Sequence, residues 1–295
     1  MKNTIKIFSL LLLVSAAANA AQTGAQFLKI DTDARLSGMA SGGAASALGV
    51  NALSYNPAGL AAMTGPEAAF SHSQWLMDST HDFIGFGMPV KKFSLALGVT
   101  RLSNSKMEGR ADDGSTAGGY SAYDQAVSLG FGFKSVGGAV KYIQSSIAGV
   151  KADAFAVDLG ARQKLNSLPV TVGLGVQNLG TGIKYLSQRD NLPLSVNAGL
   201  SFAVLPGMGL SLDVKRLVYD KQTVFSAGTE YAMLIGGAGF ALRGGYGLTG
   251  LTQNNEKSGL CVGAGVMALG AQLDYAVSPE TGLGSVQRIT IKKKF

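Results

Sequence analysis

From about Glu67 to Phe295 the chain alternates, residue by residue, between large apolar side chains and a second set made of Gly, Ala, Ser and scattered charges. Between Ala154 and Gln163, for example, Phe155, Val157, Leu159 and Ala161 fall on one face, and Ala156, Asp158, Gly160 and Arg162 on the other. Successive side chains of an extended strand point to opposite faces, so this period of two confines the fold to a sheet. A secreted β-sandwich and a membrane barrel share that period. The links between strands and the two chain ends separate them.

Fourteen segments carry the alternation: 67–76, 81–89, 92–102, 122–134, 136–146, 152–164, 169–178, 193–204, 208–217, 221–233, 237–248, 258–268, 269–278 and 286–295. Most match the roughly 9–11 residues that a tilted strand needs to cross a bilayer. Their links are expected to alternate between long polar stretches (104–121, 179–192, 249–257, 279–285) and short ones (89–91, 135, 165–168, 205–207, 234–236 and a tight turn near Leu269), without exception. An up-and-down barrel with long outer loops and short periplasmic turns has this signature, and an even strand number returns both ends to one rim.

The faces agree. Val127, Leu129, Phe131 and Phe133 oppose Ser128, Gly130 and Gly132, and the strand charges Lys141, Asp158, Arg162, Asp213, Glu230, Arg243, Asp274 and Arg288 fall mainly on the small-residue face. A charge turned to lipid at the midplane costs roughly 2–4 kcal/mol, so that face is the interior. A sandwich with a solvated outer face would carry more Lys and Glu; only 15% of this chain is charged and 41 residues are Gly. Gly, Ser and Ala cannot fill a barrel of fourteen strands, so water or another segment occupies the lumen. The inward charges either pair across neighbouring strands or hold that segment.

Residues 1–20 read as a signal peptide. Lys2 and Lys6 precede the apolar run Ile7 to Val14, and Ala18-Asn19-Ala20 has the small-x-small form of a cleavage site. The run is shorter than the roughly 20 residues of a membrane helix. Export and the barrel together place the protein in the outer membrane. Phe295 ends a strand with Ile289 and Ile291 on one face, the form of the closing strand through which the barrel-assembly machinery takes up such proteins; Lys293 departs from it, where an apolar residue would stand. The formal charge of +7 is spread singly along strands, apart from Lys292-Lys293-Lys294, which reads as an interfacial terminus and not a nucleic-acid patch. Trp75, Phe83, Phe86, Tyr185 and Tyr219 lie near strand ends as candidate interfacial belts.

Catalysis is not expected. His72 and His81 are the available general bases, Ser71 is their one loose companion near the first hairpin, and no nucleophile elbow or phosphate loop accompanies them. Two histidines and the single Cys261 make no zinc set, and Asp112-Asp113-Gly114 lacks the spacing of a calcium loop, so neither metal nor cofactor is expected.

Residues 21–66 stand outside the rhythm. There, Ala34-Arg35-Leu36-Ser37-Gly38-Met39, the Gly/Ala-rich stretch 41–50 and Leu53-Ser54-Tyr55-Asn56-Pro57-Ala58-Gly59-Leu60 occur in order. Further along come Val176-Gln177-Asn178-Leu179-Gly180 with Leu192-Pro193, Ala227-Gly228-Thr229-Glu230-Tyr231 and Leu273-Asp274-Tyr275-Ala276. Together these resemble the PorV/PorQ family, relatives of the FadL-type transporters. The resemblance implies a fourteen-stranded outer-membrane barrel (67–295) whose N-terminal segment (21–66) folds inward as a plug or hatch. Asn56-Pro57-Ala58-Gly59 would form its turn, because Pro restrains its own φ and its predecessor and Gly59 can bend the chain. A hatch that gates and a segment that merely closes the periplasmic mouth both fit. The resemblance also implies two functions: passage of a hydrophobic small molecule through the outer membrane, or a non-transporting role in type IX-like protein secretion with secretion proteins as partners. Outer-membrane lipid is a partner in either case.

Overall fold

A computed structural model describes residues 23–40, 43–76, 78–104, 107–110, 114–249, 259–280 and 284–295. Its strands are β1 (Glu67–Gln74), β2 (Thr80–Val90), β3 (Phe93–Ser103), β4 (Met107–Arg110), β5 (Thr116–Tyr120), β6 (Ala122–Phe133), β7 (Val136–Ile147), β8 (Val150–Lys164), β9 (Val170–Gly180), β10 (Ile183–Tyr185), β11 (Gln188–Asp190), β12 (Ser195–Leu205), β13 (Met208–Leu217), β14 (Gln222–Ile235), β15 (Ala238–Thr249), β16 (Gly259–Ala268), β17 (Ala271–Glu280) and β18 (Gly284–Lys294). Two pairs, β4–β5 and β10–β11, are small hairpins within outer links. The other fourteen form one closed antiparallel barrel, sealed by β1 against β18 from Glu67↔Lys294 to Gln74↔Gln287. All fourteen segments read from the alternation are barrel strands, with ends displaced by a few residues.

The alternation of link lengths does have exceptions. β7 and β8 meet at the outer rim through Ala148-Gly149 alone, both at positive φ (50° and 85°), a left-handed pair that continues the ladder to Ile147↔Val150. On the opposite rim the β8–β9 link is the longest turn, at residues 165–169. The Asp112-Asp113 pair lies outside the described residues, as does the signal peptide.

The wall is inside out relative to a soluble protein. Phe155 is 63% exposed on the outer face, while its strand neighbour but two, Asp158, is fully buried within. The outer face is thus an apolar surface for lipid, and the interior holds a core built around residues 23–66. Two aromatic assignments change. Phe83 is inward and buried beside the N-terminal segment, because it shares strand parity with His81 and Gly85; Tyr185 is folded inward by the β10–β11 hairpin. Neither belongs to an interfacial belt.

Candidate functional site

The N-terminal segment fills the lumen, and the glycines of the wall are the reason it fits. A Cβ at Gly137 would collide with Pro57, one at Gly160 with Asn56, one at Gly173 with Ala44 and one at Gly228 with Met39. Small inward residues therefore let two backbones approach across the lumen, and the space is taken by chain.

Asn56 is the centre of the lower contact. Its Oδ1 accepts from the Ala58 N–H (3.1 Å), capping the 3-10 turn Pro57–Ala62, with Pro57 at the first position where a missing N–H is harmless. Its Nδ2 donates to the carbonyls of Ala44 (2.6 Å), Ala161 in β8 (3.1 Å) and Leu174 in β9 (3.2 Å). Ala58 packs against Gly137, and Gly59 is pressed onto the Ala47 carbonyl, where no Cβ would fit. Gln177 donates to the Ser54 carbonyl (2.8 Å). Gln177 and Asn178 both face inward because the β8–β9 register slips between Val157 and Leu159, and Asn178 takes φ 60°. Asn178 then accepts from Lys141 (2.9 Å), donates its N–H to Asp158 (2.8 Å) and donates its amide to the Pro193 carbonyl (3.1 Å). The bulge thus links the Gln177-Asn178 motif to Pro193.

The eight inward charges divide between wall and plug. Lys141 and Asp158 pair across β7–β8 (2.6 Å). Asp213 accepts from the Ala44 N–H (2.8 Å), and Arg162 donates to the Ala45 carbonyl (2.7 Å). Glu230 takes Arg35 of the plug in a two-point contact (2.9 and 2.8 Å) and Arg243 of β15 (2.6 Å), which in turn pairs with Asp274 (2.8 Å). Arg288 donates to Ser73 (2.7 Å) and to Ser37 of the plug (2.5 Å). Register, which alternation does not encode, decides these partners.

The sequence reading missed three anchors, Lys292, Asp33 and Glu67, and the partners of Tyr55. Lys292, read as part of an interfacial terminus, points inward and pairs with Asp33 (2.8 Å), because the triple lysine continues the strand alternation. Asp33 also caps the one-turn helix Ala34–Ser37 through the Arg35 N–H. Glu67 accepts from the Val50 N–H (2.9 Å), and the Tyr55 hydroxyl accepts from the Thr32 and Asp33 N–H groups (3.1 and 3.2 Å). Within the plug, burial works to raise the Asp33 carboxyl, but Lys292 and Arg35 outweigh it and hold the group below its ordinary range. Burial raises Asp31 despite Arg288 and Lys215 nearby, and raises the Tyr55 phenol, with Asp31 and Asp33 adding to it. Motif order had marked Arg35 and Tyr55 but not their partners.

The upper end of the segment has a different character. Phe27, in the turn Gln26–Lys29, is buried with Ala25 against Ala126, Ile143, Ala152, Ala154 and Ala156 of the wall, and against Ile183 and Leu192 of an outer link. Tyr185 donates to Ser145, which donates to Asp124, pinning that link to the wall. The segment is tied to the outer rim by Gly24 N–H to the Asn191 carbonyl (2.9 Å) and by Lys29–Asp220 (2.6 Å). The apolar material of the outer mouth thus comes from the N-terminal segment, the 181–194 link and the alanines of the wall.

Ser71, His72 and His81 form no constellation. Ser71 is buried and shares a hydrogen bond with Thr290 (2.8 Å), whereas His72, next in the strand, faces outward onto Asp82 (2.6 Å). His81 is buried in the lumen, as is Cys261. Among the described residues no group of three or more His, Cys, Asp and Glu side chains could hold a metal.

No protein-family model and no curated protein matches the sequence. Solved structures do match along almost their whole length. The toluene transporter TodX of P. putida superposes with a TM-score of 0.69 at 13% identity, over 90% of this chain and 99% of that one. The CymD monoaromatic hydrocarbon channel gives 0.66 at 14% identity, over 95% and 99%, and a Pseudomonas aeruginosa FadL homologue 0.59 at 10%, over 90% and 98%. This chain therefore has the fold of the FadL-like outer-membrane channels, a closed antiparallel barrel of fourteen strands with an N-terminal segment outside the sheet.

Proposed function

We propose that the protein carries a hydrophobic small molecule across the outer membrane, receiving it between the outer links and releasing it when part of the N-terminal segment moves. One observation carries this reading. The outer half of the lumen holds an apolar cluster around Phe27, Ile183 and Leu192 near the outer links, whereas the plug below it adds ion pairs and amide hydrogen bonds to an apolar cluster of its own around Leu36, Leu53 and Leu60. A pore for polar solutes has no use for such a cluster, while an apolar molecule finds there the surface that Phe27 now covers. The compounds named for TodX and CymD, toluene and monoaromatic hydrocarbons, are of the same class. Export with cleavage after Ala20, and insertion by the barrel-assembly machinery through the strand ending at Phe295, complete the proposal.

The test is to purify the protein from native membranes in mild detergent and identify what accompanies it. A lipophile that co-purifies, and that Phe27→Trp excludes, supports the reading. Exported proteins in its place, with no bound lipophile, would overturn it in favour of the secretion role that resemblance to PorV/PorQ implies.

A further inference from the structure

The rim opposite the long outer loops is divided into two unlike halves. Around eight strands, β18, β1, β2, β3 and β6 to β9, the strand ends and turns carry Lys293, Lys294, Lys91, Lys92, Lys134 and Lys164. The acid of that region, Glu67, is turned inward onto the Val50 N–H. Phe93 and Phe133 stack on the outer face just above these lysines (4.8 Å), and Lys134 lies over the Phe133 ring (5.2 Å). This is the arrangement of a membrane–water boundary: aromatic rings at headgroup level and amines beyond them.

The other six strands, β12 to β17, bring no charge of their own to the same rim, and the Lys293 amine of β18 reaches it at its edge, donating to the Leu269 carbonyl (2.7 Å). No Asp, Glu, Lys or Arg occurs in 204–210, 231–242 or 264–273. Its turns instead expose aliphatic side chains: Leu205 (64%), Leu234 (82%), Ile235 (59%) and Leu269 (94%). Neighbouring strands lie about 4.8 Å apart, so this arc runs for roughly 24 Å. In water such a patch would be a liability.

We infer that this arc is a lipid-immersed surface: the barrel sits tilted in its membrane, with the turns at Leu205, Leu234-Ile235 and Leu269 sunk into the acyl region of the inner leaflet and the lysine half at its phosphates. Two features select lipid over a protein partner as the occupant. Ile235 continues the lipid-facing row of Tyr231 and Met233 on β14, and Val266 and Ala268 on β16 lead without a polar break to the turn at Leu269, while Leu234 ends the inward row of its strand. The opposite half supplies amines for the phosphates that would lie above the sunken arc on the tilted side. The inference requires a barrel in a bilayer and is independent of what passes through the lumen.

The experiment uses the full chain in a Cys261→Ser background, with an environment-sensitive fluorophore on Leu234→Cys, Leu269→Cys, Lys91→Cys or Lys134→Cys. The proteins are placed in vesicles of phosphatidylethanolamine and phosphatidylglycerol, with brominated acyl chains as the lipid quencher and iodide on both faces as the aqueous one. Labels at 234 and 269 should be quenched by bromolipid and several-fold less by iodide than labels at 91 and 134. Heat-shifted gel migration confirms folding of each variant. Equal iodide access at all four sites overturns the inference. So does shielding of 234 and 269 that appears only at high protein density, which would make the occupant a second copy.

Discussion

Replacing Asn56 by Ala tests whether the plug is a docked element with its own free energy or an integral part of the wall. The side chain caps a 3-10 turn and shares two amide hydrogens among three carbonyls, two of which belong to β8 and β9. Loss of the cap is worth about 1 kcal/mol, and two net hydrogen bonds about 1 kcal/mol each. The docked state should therefore lose about 3 kcal/mol, and since each 1.4 kcal/mol is roughly tenfold in an equilibrium, the undocked population should rise about 100-fold.

The chain carries its own reporter. Cys261 is the sole cysteine, is buried, faces the lumen and pairs in register with Gly245, where a Cβ would strike Met39 and Ala40 of the plug. Its reaction with a small maleimide requires the plug to leave. The labelling rate of Asn56→Ala in detergent should exceed that of the unaltered protein by about the same 100-fold, while heat-shifted migration stays intact. An unchanged rate in a folded variant would refute the idea that Asn56 sets the docking equilibrium. A rate that rises only with loss of the heat shift would show that plug and wall unfold together.

Glu230→Gln removes the negative charge shared by Arg35 and Arg243 and turns one of its two acceptor oxygens into an amide donor, and breaking a fully buried pair costs about 3–5 kcal/mol at most, so the unfolding midpoint in detergent should drop clearly; a change equivalent to under about 1 kcal/mol would mean the network is not coupled to folding. Asp33 is held below its ordinary pKa, so its contribution is complete above the unfolded value of about 3.9 and is lost as pH falls through the lower folded value. The stability gap between Asp33→Asn and the unaltered protein should accordingly be constant from neutral pH down to about 5 and close below about 4; a gap that widens on acidification would contradict the sign. On the outer face, Phe155→Arg should cost about 2–4 kcal/mol in folding equilibria measured in bilayers, and an equal loss for Phe155→Leu would point to packing in place of lipid contact.

The wall was legible because a single physical rule, alternation between lipid and lumen, is written into each of the fourteen barrel strands. What that rule cannot carry is register. The partners of Glu230, Arg243 and Asp274 follow from Cα pairing of β14, β15, β16 and β17, and no sequence distance encodes it. Departures from strict alternation were opaque for the same reason: the bulge that turns both Gln177 and Asn178 inward looks in sequence like one more strand, and Ala148-Gly149 looks like the start of a loop. Phe83 was misplaced by its nearness to a strand end, although its parity with His81 already put it inside. The plug motif was visible as Asn56-Pro57, but the plug's docking surface was spread over ten strands as isolated glycines.

The distribution of anchors along the plug argues that it does not move as one body. Residues 31–62 are held by the buried Asp33–Lys292 pair, by the two-point Arg35–Glu230 contact, by the Asn56 amide and by the burial of Leu36, Val50, Leu53 and Leu60, all of which would have to be given up together during motion. Residues 23–30 are held by one backbone bond to Asn191, by Asp220, which accepts from the Thr23 hydroxyl (3.3 Å) and pairs with Lys29 (2.6 Å), and by the burial of Phe27, worth about 1.5–3 kcal/mol. An apolar ligand entering the outer mouth replaces that last contribution with its own contacts, so the upper part can be displaced at small net expense while the lower part stays docked. Amide exchange followed by mass spectrometry should therefore show 24–30 opening faster than 44–60, with a lipophile accelerating only the former. Equal protection of the two stretches, or acceleration of both together, would require the segment to move as a unit.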